Sequence, residues 1–418
     1  WNFSNPKYSN TKNSISFIKT PKSSDILDPL EKKGNSLTNK LVTRTGNQEK
    51  VIFETEDTIS NYIWSEKDEF IYVITKEWSS DYKNIKSKTD HPLKIDKLPF
   101  RFDTTGTIYN KRFHIYEVNV STLKTKKIID GDKESLLSIS SLIEMDSSLF
   151  FISSKHNEKG TMLENQVLKF SKSKLKVLNT GGMWEQIFYF NNNLYGVGLE
   201  NRFDWPTNIS VFELNEDGVV RKIKNEIDRG VIKVKVFNNY VFVLFEDSGK
   251  QSLLKTDFKD YEILSDEESI ISDFTVYNDK IYTLKNSFNL KDEVYIGLNK
   301  QTKKISEFNK SFHKNVKAHQ CVYKRFDTGQ SEIDTWGILV DINKPTLLNI
   351  HGGPAGQYGF GFFDEFQVYA SSGFNVIACN PRGSSGRGHK FLRDVCGSKW
   401  GENDTFDVLT SFKKMIQH

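Results

Sequence analysis

Cysteine, proline and long apolar runs are all scarce in this chain. Its 418 residues include three cysteines and nine prolines. The cysteines, Cys321, Cys379 and Cys396, are odd in number and widely spaced. That argues against a disulfide framework and for a reducing compartment, read here as the cytoplasm. No window is apolar and long enough to predict a bilayer-spanning helix, so no membrane partner is expected. The net charge of +4 is small for the length, and a dedicated nucleic-acid binder would cluster its Lys and Arg. The Lys-rich stretch 122–127 reads as solvated strand ends. The eight histidines are scattered, with no H-E-x-x-H and no paired C-x-x-C, so no metal site is predicted. The glycines at 383–388 lack the P-loop pattern, and Pro354 with several bulky residues interrupts Gly352–Gly361 as a dinucleotide fingerprint. No cofactor is expected.

Aromatic residues, by contrast, make up 13% of the chain, many of them in short alternating runs. Two-strand units start near Pro6, Ile59, Leu136, Trp184, Val231 and Ile271. Each pairs two apolar strands across a polar turn, such as Asn191-Asn192-Asn193 or Asn238-Asn239. The later units recur every 40–50 residues or so, the period of propeller blades rather than of a β-sandwich pair. Six units are visible and a seventh is expected. Residues 78–112, charged and carrying Pro92 and Pro99, interrupt the second unit and are predicted to form a long loop.

The pattern changes after about residue 320. Residues 347–354 read LLNIHGGP, an apolar strand running into His351-Gly352-Gly353-Pro354. Phe363–Ser372 has helical periodicity, with Phe363, Phe366, Val368, Tyr369 and Ala370 on its apolar face, and Gly373 stops it. Asn375–Cys379 reads as a buried parallel strand. It runs into a turn-rich loop, Asn380-Pro381-Arg382-Gly383-Ser384-Ser385-Gly386-Arg387-Gly388. Trp400-Gly401 precedes a helix predicted over Asp404–Ile416, capped by Asn403 or Asp404 and buried along Phe406, Leu409, Phe412 and Met415. Strand, helix, strand, loop and helix in this order open a doubly wound α/β sheet.

HGGP, then NPRGSSGRG, then Trp-Gly before an acidic helix resemble the prolyl oligopeptidase family of serine peptidases, and most the acylaminoacyl-peptidase and dipeptidyl-peptidase branches. The resemblance covers roughly residues 330–418. Lys94–Asp103 is similar to a propeller segment of the acylaminoacyl-peptidase branch. The resemblance implies a β-propeller of about seven blades over 1–318. It implies the first part of an α/β-hydrolase domain over 319–418. It also implies a serine peptidase releasing N-terminal (acyl)amino acids or dipeptides from short peptides, gated by the propeller.

Within that reading, Gly353 would supply an oxyanion-hole backbone N–H. His351 and Arg382 would position the loops and take no chemical step. No G-x-S-x-G occurs in the 418 residues, so nucleophile, base and acid are all expected to lie outside them and the chain alone to be inactive. A further C-terminal segment is expected, and the first residue, Trp1, suggests a processed or incomplete N-terminus. Asp266-Glu267-Glu268 reads as a solvated turn, against a reader of a free amino terminus. Three matters stay open: an esterase or lipase on the same sheet, a non-catalytic propeller module or pseudoenzyme, and assembly into a homo-oligomer.

Overall fold

The computed structural model describes all residues except 12, 22–37, 84–94, 103–105, 109, 179–180, 224–226, 266 and 299–300. Two-residue polar turns fold most of the chain into antiparallel meanders. Asp146-Ser147, Asn191-Asn192 and Asn278-Asp279 all take positive φ. Such turns match the right-handed twist of the strands they join. Four of the resulting sheets have four strands each. A fifth has eight, formed by two four-stranded meanders joined through one parallel pair, Gln251 with Ile270.

These six repeats are the blades of a β-propeller, and they begin where the six sequence units do. Blade 1 runs from Asn2–Tyr8 to Gln48–Thr55, blade 2 from Thr58–Trp64 to Thr125–Ile129, and blade 3 from Ser140–Met145 to Lys174–Val177. Blade 4 runs from Met183–Phe190 to Gly218–Lys222, blade 5 from Val231–Phe237 to Tyr261–Ile263, and blade 6 from Ile270–Tyr277 to Lys303–Lys304. The expected seventh blade is not found among the described residues. Among the described residues of that part, the only further paired strands are Arg101–Phe102 with Gly106–Thr107, inside the charged insertion. That ribbon is too short and too exposed to bury a face. Lys94 and Asp103, the ends of the segment singled out there, lie outside the described residues.

The chain divides into two compact units, one of residues 1–187 with 214–219 and the other of residues 188–213 with 220–418. In the first, side chains alternate across each strand, so every blade presents an apolar face to the next. Tyr72, Ile74 and Ile115 of blade 2 meet Leu149, Phe151 and Leu168 of blade 3. Ile18, Leu41 and Ile52 of blade 1 meet Tyr62, Ile71 and Val73 of blade 2. In the second unit the same layering joins Phe188, Tyr195 and Val197 to Val231, Val243 and Phe245.

The second unit also holds a mixed four-stranded sheet. Val322–Asp327 pairs antiparallel with Glu332–Ile338, which pairs antiparallel with Asn375–Asn380. Asn375–Asn380 then runs parallel to Thr346–Asn349. Helix Asp364–Ser371 makes the crossover between the parallel strands, and helix Asn403–Gln417 packs on the same sheet. This is the opening of an α/β-hydrolase sheet. No helix among the described residues is long and apolar enough to cross a membrane.

Both helices turn differently from their sequence periodicity. In Asp364–Ser371 the buried residues are Phe366, Gln367 and Ala370, while Val368 is exposed. The Gln367 amide accepts from His319 N–H at 2.7 Å and donates to the His319 carbonyl at 3.3 Å, so a hydrogen-bonding demand sets that face. In Asn403–Gln417 the buried set is Asp407, Val408, Ser411 and Met415. Phe406 and Leu409 point outward. No side chain caps this helix, and the capping position falls on Glu402.

The interleaved faces set the stability of the first unit. Phe151 is fully buried between blades 2 and 3. Phe151→Ala is expected to cost about 3–5 kcal/mol, read as a lower midpoint in urea titration of the intact chain.

Candidate active site

The site is assembled from two loops that leave the C-terminal ends of neighbouring parallel strands, where α/β sheets place their ligands. One is His351–Phe362, after strand Thr346–Asn349. The other is Pro381–Gly388, after strand Asn375–Asn380. The last residue of each strand is an asparagine, and both asparagines hold the first loop. Asn380 accepts from Tyr358 N–H at 2.8 Å and donates to the Tyr358 carbonyl at 2.9 Å. Asn349 accepts from the Tyr358 hydroxyl at 2.7 Å. Burial pushes the Tyr358 phenol up to about 12, so it stays a donor.

Gly353 is exposed, and neither its N–H nor that of Gly352 has a partner among the described residues. Its φ is 136°, a conformation that side chains rarely adopt, and a Cβ built there would lie 2.9 Å from the Ala355 nitrogen. Only glycine fits this backbone without a shift. The loop therefore offers a free backbone donor on a surface that no side chain obstructs.

His351 joins the two loops. Its Nδ1 lies 3.1 Å from the Gly352 carbonyl and its Nε2 lies 3.0 Å from Ser384 Oγ. A carbonyl only accepts, so Nδ1 carries the proton and Nε2 accepts from the Ser384 hydroxyl. Burial holds the imidazole pKa below its ordinary 6.5. A ring with both nitrogens engaged is suited to holding a loop, not to moving protons.

Arg382 is buried and anchors the second loop. Its Nε and Nη2 donate to the two carboxylate oxygens of Asp407 at 2.8 and 3.0 Å, and its backbone N–H donates to the same carboxylate at 3.0 Å. Nη2 also reaches Gln330 Oε1 at 2.8 Å, and Nη1 reaches Asp394 at 3.3 Å. Lys399, and after it Arg382, hold the Asp394 carboxyl below the usual range. This network explains the turned helix: Asp407 must face inward to meet the guanidinium.

Gly353, His351 and Arg382, the residues that the motifs single out, lie on two adjoining loops. Asp407, Ser384, Tyr358, Asn349 and Asn380, to which no motif assigns a role, hold those loops. An acid inside a helical stripe and an Asn ending each parallel strand were the available signals. Glu267 pairs with Lys285 and Glu268 is exposed, while Asp266 lies outside the described residues.

The fold and these loops define a propeller joined to a hydrolase sheet, and the comparisons agree. Residues 360–418 match the prolyl oligopeptidase family, Peptidase_S9. An uncharacterized peptidase, YuxL of Bacillus subtilis, is 45% identical over 73 residues, 18% of this chain and 11% of that protein. Dipeptidyl-peptidase 5 of Trichophyton equinum is 31% identical over 99 residues, 22% of this chain and 14% of that protein. The crystal structure of Pyrococcus horikoshii acylaminoacyl peptidase superposes with a TM-score of 0.81 at 18% identity, covering 99% of this chain and 63% of that one. The chain resembles the prolyl oligopeptidase family, whose model it matches over residues 360–418. It matches only a small part of these curated relatives' lengths, and under two thirds of the solved structure.

Two outcomes are expected. Asp407→Ala leaves a buried guanidinium without its main partner and should cost about 3–5 kcal/mol, measured by chemical denaturation. The depressed His351 pKa favours the neutral ring in the folded loop, so the folded state binds fewer protons than the unfolded one near pH 6. That stabilisation is complete above 6.5 and is lost as pH falls through the folded value. Hydrogen exchange of residues 347–358, corrected for intrinsic rates, should therefore rise between pH 7 and pH 5, and His351→Gln should remove that rise.

Proposed function

We propose that the protein is a serine peptidase of the prolyl oligopeptidase type. In this reading it releases an N-terminal amino acid, acylated or not, or a dipeptide from short peptides. The single observation that carries it is the exposed, unpartnered Gly353 N–H, on a loop held by Tyr358 and His351. Such a donor stabilises the oxyanion that forms when a nucleophile attacks a peptide carbonyl. The donor is fixed before reaction, so it needs no reorganisation as charge develops. The family match and the names of the relatives, a peptidase and a dipeptidyl-peptidase, support the same class.

Gly353 stabilises charge, while His351 and Arg382 position the loops. Nucleophile, base and acid are assigned to none of the 418 residues, because no G-x-S-x-G occurs among them. The propeller would restrict entry to short or unfolded peptides and keep water from the intermediate. A reducing compartment suits the three cysteines, all free thiols.

A fluorophosphonate probe should label no serine of the 418-residue polypeptide. Stoichiometric labelling within it would relocate the nucleophile. In the protein as its source makes it, Gly353→Val should lower kcat on chromogenic peptides by roughly a hundredfold or more, with circular dichroism unchanged. Near-wild-type kcat in that variant would remove the loop from the mechanism and favour a binding module.

A further inference from the structure

The hairpin turn of blade 5, Asp247–Lys250, sits between the two loops of the site. Gly249 N–H donates to Gln357 Oε1 at 2.9 Å, and Gln357 Nε2 donates to the Lys250 carbonyl at 3.1 Å. One side-chain amide thus caps both a donor and an acceptor of the turn. The turn answers with backbone bonds of its own. Its Gly249 carbonyl accepts from Phe360 N–H at 2.9 Å, and its Ser248 N–H donates to the Gly386 carbonyl of the second loop at 2.9 Å.

The approach is close enough to exclude side chains on both sides. A Cβ at Gly359 would lie 1.9 Å from the Gly249 carbonyl oxygen. One at Gly249 would lie 2.4 Å from the Trp336 ring, and one at Gly386 would lie 2.2 Å from Gln357 Oε1. Trp336 is buried and packs edge-on against Phe360, so the surface beneath the turn does not yield. Beside Gln357, the Gly356 carbonyl accepts from Ser385 N–H at 3.0 Å, and Gly356 N–H donates to the Pro354 carbonyl at 2.7 Å. A path of hydrogen bonds and adjacent residues therefore runs from the propeller turn through Gln357 and Gly356 to Pro354, the residue that follows Gly353.

We propose that Gln357 is a positioning residue through which the blade 5 turn sets the conformation of Gly352-Gly353. The propeller then acts as a structural part of the oxyanion site in addition to any role in admitting substrate. The importance of this role for catalysis rests on the peptidase reading above, but its structural content does not. Nothing in the chemistry of gating requires such a clasp. Gating needs only that the blades cover the site, whereas two amide bonds and three glycines at one turn fix the loop in a single register.

The test uses the 418-residue chain and needs no catalysis. Of its eight histidines only His351 is followed by glycine. Labelling with 13C-carbonyl His and 15N-Gly therefore gives one carbonyl-to-nitrogen correlation, that of Gly352. In Gln357→Met, which keeps length but not the hydrogen bonds, this peak should shift, and amide exchange over 351–361 should rise about tenfold. Gln357→Glu retains the acceptor for Gly249 N–H and loses only the donor, so its peak should fall between those of wild type and Gln357→Met. A lowered unfolding midpoint with an unmoved Gly352 peak would make Gln357 merely structural and overturn the proposal. Should Gln357→Met fail to fold, Gln357→Glu carries the same reading, and an unmoved peak there overturns it equally. A moved peak beside unaltered kinetics in Gly353→Val would sink the peptidase reading alone.

Discussion

A guanidinium out of water must be met by a carboxylate, and the site is organised around that requirement. Arg382 is buried, and Asp407 closes its charge with two side-chain bonds and a third to the backbone. The pair spans 25 residues and fixes three things together: the start of the second loop, the rotation of helix Asn403–Gln417, and the place of Asp394 and Gln330 around the ion pair. Ser384 then stands where His351 can reach it. Such a pair adds little net stability over an apolar replacement, yet losing one partner is costly, so it specifies an arrangement more than it strengthens one.

The repeated part of the chain was legible because its physics is local. A polar turn and two alternating strands report their own structure, and all six units begin where blades begin. The crossover of the hydrolase sheet was equally clear, since Asn375–Asn380 is buried on both faces and its sequence is continuously apolar apart from its ends. What periodicity misjudged was the rotation of two helices. There the apolar stripe lost to hydrogen-bonding groups whose partners lie far away in sequence, Gln367 with His319 and Asp407 with Arg382. Hydrophobic periodicity has no means of seeing a partner that is itself polar and buried. Gln357 escaped notice for the same reason, since its partners are backbone atoms of residues 249 and 250.

The loops of the site differ in how they are held. Pro381–Gly388 is pinned by charge, through Arg382. His351–Phe362 is pinned by neutral groups: three asparagines, a phenol, an imidazole and one glutamine amide. Neutral bonds do not weaken with salt as exposed ion pairs do, and they draw their strength from exclusion of water. The one titratable member near neutrality, His351, is held in its uncharged form. The free donor of Gly353 thus stands in surroundings whose net charge near the loop stays constant above the ordinary imidazole range.

The contiguity of the blades has a consequence for synthesis. Each four-stranded sheet of the first three blades draws its strands from one stretch of sequence, interrupted by residues 21–38 in blade 1 and by the insertion in blade 2. Each can therefore close soon after it emerges from the ribosome, and domains made first generally fold first. Strand Thr346–Asn349 has no such independence. Its parallel neighbour follows after a crossover, and the anchor of the next loop is Asp407, on helix Asn403–Gln417. During translation the blades would stand complete while His351–Pro354 still waited for residues more than fifty positions downstream, so the loop that carries the free donor takes its final form after the blades do.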